Sequence, residues 1–269
     1  MRVTVLGSGS RGNAVVVESG GQRVLVDAGF SPRALARRLA AARMAPESID
    51  ALLLTHEHTD HACGAADAVT RWQWPVLATA GTLAALPALS APPFAVLTPG
   101  VPVAIGALSV AALPIAHDAR EPAALVFTDT HSGARGAVAL DLGRVPDGFA
   151  QALGPLDVFV LESNHDTQRL AEGPYPAMLK RRISSGAGHL SNAQAAGLLA
   201  ACAAVGLGSV ILAHLSETNN TPELALGATR TALRGARSRG HALHVALQGE
   251  VLHPVSAARR DARQLTLGL

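Results

Sequence analysis

Three histidines and an aspartate fall within six residues in Thr55-His56-Glu57-His58-Thr59-Asp60-His61, directly after the apolar run Ala51–Leu54. Imidazole nitrogen and carboxylate oxygen are ligands that Zn²⁺ and Mn²⁺ both accept. In an extended loop, side chains at i and i+2 lie on the same side, so His56 and His58 can face one ion. A bend at Asp60 then lets Asp60 and His61 face a second. One loop cannot complete two coordination spheres, so the chain has to fold with other strand ends gathered around this segment. Three polar residues stand alone at such ends: His117 after the strand region Leu108–Ile115, Asp141 after Gly136–Leu140, and His214 after Val210–Ala213. The expected cofactor is two divalent ions per chain, Zn²⁺ or Mn²⁺.

The opening of the chain narrows the fold further. Three β-branched runs, Arg2–Leu6, Ala14–Glu18 and Arg23–Val26, follow one another with only turns between them. A doubly wound parallel sheet would instead require a helix after the first strand. The same opening holds Gly7-Ser-Gly9-Ser-Arg-Gly12, a literal G-x-G-x-x-G. Asn13-Ala-Val-Val-Val-Glu-Ser follows it, a strand pattern, whereas a dinucleotide fingerprint needs a helix there. Further strands are predicted at Ala51–Leu54, Val76–Ala78, Val103–Ile105, Leu108–Leu113, Ala123–Thr128, Gly136–Leu140, Val158–Leu161, Val210–Ala213 and Ala242–Ala246. Helices are predicted at Pro32–Ala42, Ala62–Trp72, Gly81–Leu86, Tyr175–Ile183, Asn192–Val205 and Pro222–Arg239. Ser31-Pro32, Thr221-Pro222 and Ser191 supply N-caps. Strands come in groups with helices interspersed in both halves. The expected class is α+β, an αββα sandwich of two mixed β-sheets with helices on the outer faces. One domain spans 1–269, with a basic tail from about residue 255.

Composition excludes several classes. At 49% hydrophobic and a net charge of +2 over 269 residues, the chain has neither the low hydrophobicity nor the high charge of a disordered protein. No apolar run reaches the ~18–20 residues of a membrane helix, so no membrane partner is expected. The first residues read as a strand and lack the long apolar region of a leader. Two cysteines, Cys63 and Cys202, cannot make a disulfide framework, which points to the reducing cytoplasm. Arginine outnumbers lysine 21 to one, and Lys180-Arg181-Arg182 is the densest basic run, with seven more arginines between Arg230 and Arg263. Such runs either cover a solvated face or hold phosphates. Aromatic residues are only 3%, which gives no support to a base-stacking platform. His131, His241, His244 and His253 fit no motif.

The segment His56, His58, Asp60, His61 resembles the H-x-H-x-D-H signature of the metallo-β-lactamase superfamily, whose fold is the αββα sandwich. The resemblance implies that His56, His58 and His117 hold one metal, that Asp60, His61 and His214 hold the other, and that Asp141 bridges them. Asp27, in Leu-Val-Asp-Ala-Gly, matches an acid that orders the metal loop by hydrogen bonds. Histidine at 58 argues against the flavodiiron branch, which has glutamate there. Only 24 residues separate His117 from Asp141, too few for the tRNA-gripping arm of bacterial tRNase Z, and the 73 between Asp141 and His214 cannot hold the extra domain of RNase J. The chain is most similar to the YycJ/WalJ-like group of cytoplasmic metal-dependent nucleases. Gly-Ser-Gly-Ser-Arg-Gly-Asn at 7–13, His117-Asp-Ala-Arg-Glu-Pro122, Leu161-Glu-Ser-Asn-His-Asp166, Gly188-His-Leu-Ser-Asn192 and Leu212-Ala-His-Leu-Ser216 carry that likeness. Leu142 departs from it, standing where threonine is usual.

The resemblance implies a dinuclear-metal phosphodiesterase, a DNA 5′→3′ exonuclease in which a metal-bridging hydroxide attacks the phosphodiester bond. Asp60 would orient or deprotonate the water, and His189 would protonate the leaving oxygen with Glu162 holding its orientation. Lys180, Arg181 and Arg182 would bind flanking phosphates of the nucleic-acid substrate. Asn164 and His165 are either supports of the site or substrate contacts. The rival readings are a small-molecule phosphodiesterase or thioesterase on the same metals, and a non-catalytic metal-containing nucleic-acid-binding protein.

Overall fold

The opening strands bury both faces, and this sets the layers. Along β1 (Arg2–Gly7), β2 (Ala14–Ser19) and β3 (Gln22–Val26), Val3, Val5, Val15, Val17, Val24 and Val26 belong to one core. Their neighbours Leu6, Val16 and Leu25 belong to another, as the two-residue period of a strand requires. The computed structural model describes residues 1–89, 94–234 and 242–257. The first half continues with α1 (Pro32–Ala41), β4 (Ala51–Leu53), α2 (Thr59–Ala62), α3 (Ala65–Trp72), β5 (Val76–Ala78), α4 (Ala80–Ala85) and β6 (Phe94–Val96). Next come β7 (Val103–Ile105), β8 (Leu108–Pro114), β9 (Ala123–Asp129), β10 (Arg135–Ala139), α5 (Phe149–Leu153) and β11 (Leu156–Glu162). The chain closes with α6 (Thr167–Glu172), α7 (Ala177–Ile183), α8 (Asn192–Val205), β12 (Leu207–Ala213), α9 (Pro222–Leu233), β13 (Leu243–Val245) and β14 (Leu252–Ser256).

The strands form two seven-stranded sheets, β14-β1-β2-β3-β4-β5-β6 and β13-β12-β11-β10-β9-β8-β7. Both are mixed. In the first, β14 through β3 pair antiparallel and β3 through β6 parallel. In the second, β7 through β10 pair antiparallel and β10 through β13 parallel. The central core lies between them, where Val15, Val26 and Leu53 meet Val110, Phe127, Val160 and Ile211. Parallel neighbours need crossover connections, and the helices those connections carry cover the outer faces. Leu35, Leu39, Ala65 and Ala68 seal the first sheet, while Phe149, Leu153, Leu198 and Leu199 seal the second. This is the expected αββα sandwich.

The three expected N-caps are present. Ser31, Ser191 and Thr221 accept from the backbone N–H of Ala34, Gln194 and Leu224, and Gln194 completes a capping box with Ser191.

Several boundaries differ from expectation. The helix predicted over Ala62–Trp72 is two, α2 and α3, broken at Gly64. There the chain passes so close to the segment after β3 that a Cβ on Gly64 would lie 1.8 Å from the Phe30 carbonyl oxygen. β14 carries the chain along β1 as far as Ser256, and beyond Ala257 the basic tail expected from about residue 255 lies outside the described residues. Pro254 hides that strand in the sequence, yet it is tolerated because β14 is an edge. β6, α5 and α6 were not predicted either, being only three, five and six residues long. Helix α9 is described to Leu233. Arg234 is its C-cap; positions 235–239 of the predicted span, His241, and the arginines at 259, 260 and 263 lie outside the described residues. Among the described residues, no helix is long and apolar enough to cross a membrane.

Candidate metal centre

The expected metal ligands stand just past strand ends, gathered at one end of the sandwich. The segment after β4 brings His56 and His58 on its loop and Asp60 and His61 in α2; β8, β10 and β12 lead into His117, Asp141 and His214. Backbone bridging between Ala116 and Arg144, with Gly143 N–H donating to Ala116 O, sets His117 beside Asp141. Asp27, Asp141 and His214 take left-handed φ values of 61°, 57° and 51°. Such backbone is unfavourable for these residues by about 1–3 kcal/mol each, so the surrounding contacts must hold it.

Three overlapping clusters result. One ligand atom from each of His56, His58, His117 and Asp141 lies within 4.8 Å of the others, and the same holds for Asp60, His61, Asp141 and His214 and for Asp141, Glu162, His189 and His214. Asp141 Oδ2 is 2.8 Å from His61 Nε2, 3.3 Å from His56 Nε2 and 3.7 Å from His117 Nε2. Asp60 Oδ2 is 3.3 Å from His214 Nε2. The donor set suits a divalent cation, and two atoms demand one. His56 Nε2 and Asp141 Oδ1 are buried and make no hydrogen bond, a state that a coordinated cation relieves. The cluster therefore suits divalent metal.

The ring orientations are set from behind. Asp27 is wholly buried. It accepts from His61 Nδ1 at 2.7 Å, from Thr55 N at 2.8 Å and from Thr55 Oγ1 at 2.9 Å. His117 Nδ1 donates to Gly188 O at 3.0 Å, which turns its Nε2 inward. The glycine-rich turn after β1 also serves the site. Ser8 Oγ accepts from His214 N at 2.9 Å, and Asn13 N donates to Asp60 O at 2.7 Å. Asn164 Nδ2 donates to His214 O at 3.0 Å. Sequence reasoning missed Ser8, Asn13 and Thr55. The one signal for the first two was the turn, whose glycines imply a close approach to something.

Glu162, also wholly buried, accepts from Leu142 N and Leu190 N at 2.8 Å each and from His189 Nδ1 at 3.0 Å. It thus ties the Asp141 and His189 loops together. Leu142, the departure noted above, buries its side chain in the outer core and gives only its N–H to the site.

Electrostatics follow from burial and carboxylates. Burial opposes a proton on His61, but Asp141 and Asp27 outweigh it and hold its pKa well above the usual imidazole value. Burial likewise opposes one on His189, yet Glu162 and Asp141 lift its pKa to about 11. Burial lowers His117 to about 4, and His56 and His189 add to the effect against Asp141. Asp141 is held well below the carboxylate range by His214, His61 and His189 despite its burial. Protons on histidine thus balance the buried carboxylates when no cation is bound, and metal uptake has to displace those on its ligands.

The cluster opens into a cavity of about 290 Å³, whose lining includes Asp60, Asp141, His189 and His214 together with Tyr175, Leu179, Arg182 and Ile183. Of the expected basic run only Arg182 lines it. Its Nε and Nη2 each bond Asp118 Oδ2 at 2.8 Å. Lys180 instead donates to the Ala171 carbonyl, and exposed Arg181 is not on the wall. Of the three residues expected to grip phosphates, Arg182 alone is among those lining the cavity, because successive helical residues point in different directions. Asn164 lines the cavity, whereas His165 is buried outside the lining, its Nδ1 without a hydrogen bond.

A sandwich with these His and Asp loops at one end defines a class of metal-dependent hydrolases, and sequence comparison agrees. The profile of the beta-lactamase superfamily domain matches residues 22–215, and the chain belongs to that superfamily. It is 34% identical over 230 residues to the exodeoxyribonuclease YycJ of Bacillus anthracis, covering 84% of this chain and 86% of that one. It is 31% identical to the exodeoxyribonuclease WalJ of Streptococcus pneumoniae, covering 83% and 85%. Among solved structures, the metallo-beta-lactamase fold protein YhfI of Bacillus subtilis superposes with a TM-score of 0.69 at 18% identity, covering 94% of this chain and 99% of that one. The chain is a metal-dependent hydrolase.

Proposed function

We propose that the protein is a dinuclear phosphodiesterase that degrades DNA as a 5′→3′ exonuclease in the cytoplasm, with Zn²⁺ or Mn²⁺ at the first two clusters. The observation that carries this reading is an arginine, Arg182, lining the same cavity as five of the seven candidate ligands, His58, Asp60, His117, Asp141 and His214. Similarity to two exodeoxyribonucleases over most of the chain supports the substrate class, and the polarity follows the motif resemblance. His56, His58 and His117 would hold one ion, Asp60, His61 and His214 the other, and Asp141 both. Ions so held lower the pKa of a water and neutralise phosphoryl charge.

The chain's own groups do the rest. Asp60 engages His61 and His214 through Oδ2, which leaves Oδ1 to orient the attacking water or take its proton. His189 commits Nδ1 to Glu162, so Nε2 is the nitrogen that can protonate the leaving oxygen. Glu162 is the positioning residue in that pair. Arg182 uses two of its donors on Asp118 and has Nη1 left for a phosphate. Two free cysteines suit a reducing compartment.

The test is to incubate the protein with Mn²⁺ or Zn²⁺ and 5′- or 3′-labelled single- and double-stranded DNA and RNA. A 5′ label released at once as mononucleotide from DNA is the expected result. Hydrolysis of small phosphodiesters or thioesters alone would overturn the nuclease reading, and metal-dependent binding without turnover would make the protein a binder. Asp60→Ala should lower turnover at least ~10²-fold, while His131→Ala, on an exposed turn away from the site, should match wild type.

A further inference from the structure

Helix α7 takes no part in the three cores. None of its residues is buried, and Met178 is 77% exposed. Yet Leu179 and Ile183 lie one turn apart on one face of α7, Tyr175 stands just before its Pro176 cap, and all three, half-buried, line the cavity with Arg182. Apolar surface that lines an open cavity and joins no core is suited to a ligand's apolar part. The same lining carries the polar Asp60, Asp141, His189 and His214. A phosphodiester whose phosphorus sits at those groups has a sugar and a base to seat on the apolar ones. Arg182, in the same lining, is placed for an adjoining phosphate.

Resting on the phosphodiesterase reading above, we infer that Tyr175, Leu179 and Ile183 form a nucleobase subsite. In it the Tyr175 ring stacks on the base of the nucleotide under attack, and the two aliphatic side chains pack against its edge. The chain has a single tyrosine and only 3% aromatic residues. One ring suffices, since stacking is sequence-tolerant and every base offers a π-face. The cavity, at about 290 Å³, is at the small end for ligand sites and takes one such group.

The experiment is calorimetric titration of the Zn²⁺-loaded protein with dAMP and with 2-deoxyribose 5-phosphate, which share the phosphate and differ in the base. Wild type should bind dAMP about 10- to 100-fold more tightly, the range that stacking on one base supplies. Tyr175→Ala should close that gap to about threefold by weakening dAMP alone, and Tyr175→Phe should keep it. Equal wild-type affinities, or a Tyr175→Ala that weakens both ligands alike, would overturn the subsite. DNA hydrolysis, scored separately, keeps the two readings apart. A dAMP preference without DNA cleavage refutes the nuclease and leaves the subsite standing; cleavage without the preference refutes the subsite alone.

Discussion

Asp27 receives three hydrogen bonds from residues on the metal loop and has no surface of its own. Its work is to fix the tautomer and direction of His61. Asp27→Asn should therefore lower Zn²⁺ affinity about 10- to 100-fold, as loss of a partner behind a ligand does. Competition against a chromogenic chelator reads this, and an unchanged affinity would mean that His61 is held by the fold alone. Arg182 and Arg181 make a contrasting pair of neighbours, one on the cavity wall and one off it. Arg182→Ala should flatten the salt dependence of single-stranded DNA binding by about 0.7 in log K against log salt, one phosphate contact. Arg181→Ala should leave the slope unchanged. Equal slopes for both variants would show that side-chain direction on α7 does not matter.

At the scale of elements, the site depends on how closely two loops cross. A Cβ on Gly29 would lie 1.8 Å from Asp60 O, and one on Gly64 equally close to Phe30 O. The loop after β3 and the metal loop are thus interlocked through glycine. Gly29→Ala should displace Asp60, destabilise the fold by about 1–3 kcal/mol and reduce metal content. Thermal denaturation and elemental analysis of the purified variant would check both, and wild-type values would refute the crossing. The elements themselves were legible to different degrees. The strands β2, β3 and β4 and the capped helices α1, α8 and α9 announce themselves by continuous apolar runs and by Ser or Thr at the caps. β14 does not, because Pro254 reads as a strand breaker until the strand is known to be an edge. The break between α2 and α3 was invisible because it answers to Phe30, which is far off in sequence.

At the scale of the molecule, the candidate ligands come from both sheets: four from the segment after β4 in the first, and His117, Asp141 and His214 from the second. Bound metal therefore ties the sheets together at one end. Chelation should lower the thermal midpoint, and Zn²⁺ should restore it. At 100 times its dissociation constant one ion adds about 2.7 kcal/mol, or roughly 5–10 °C for a chain of this size. A midpoint indifferent to chelator would mean that the cluster holds no metal in solution. The sequence by itself determined the sandwich and the parts of the metal cluster, because strand periodicity and the residues that end a strand are local properties of the chain. Only the tertiary structure decided which groups besides Asp27 and Glu162 serve the site and which line the cavity. Ser8, Asn13 and Thr55 act through contacts between segments remote in sequence. Whether Lys180, Arg181 or Arg182 reaches the cavity depends on how α7 is turned over it, and that is set by packing which no local pattern encodes.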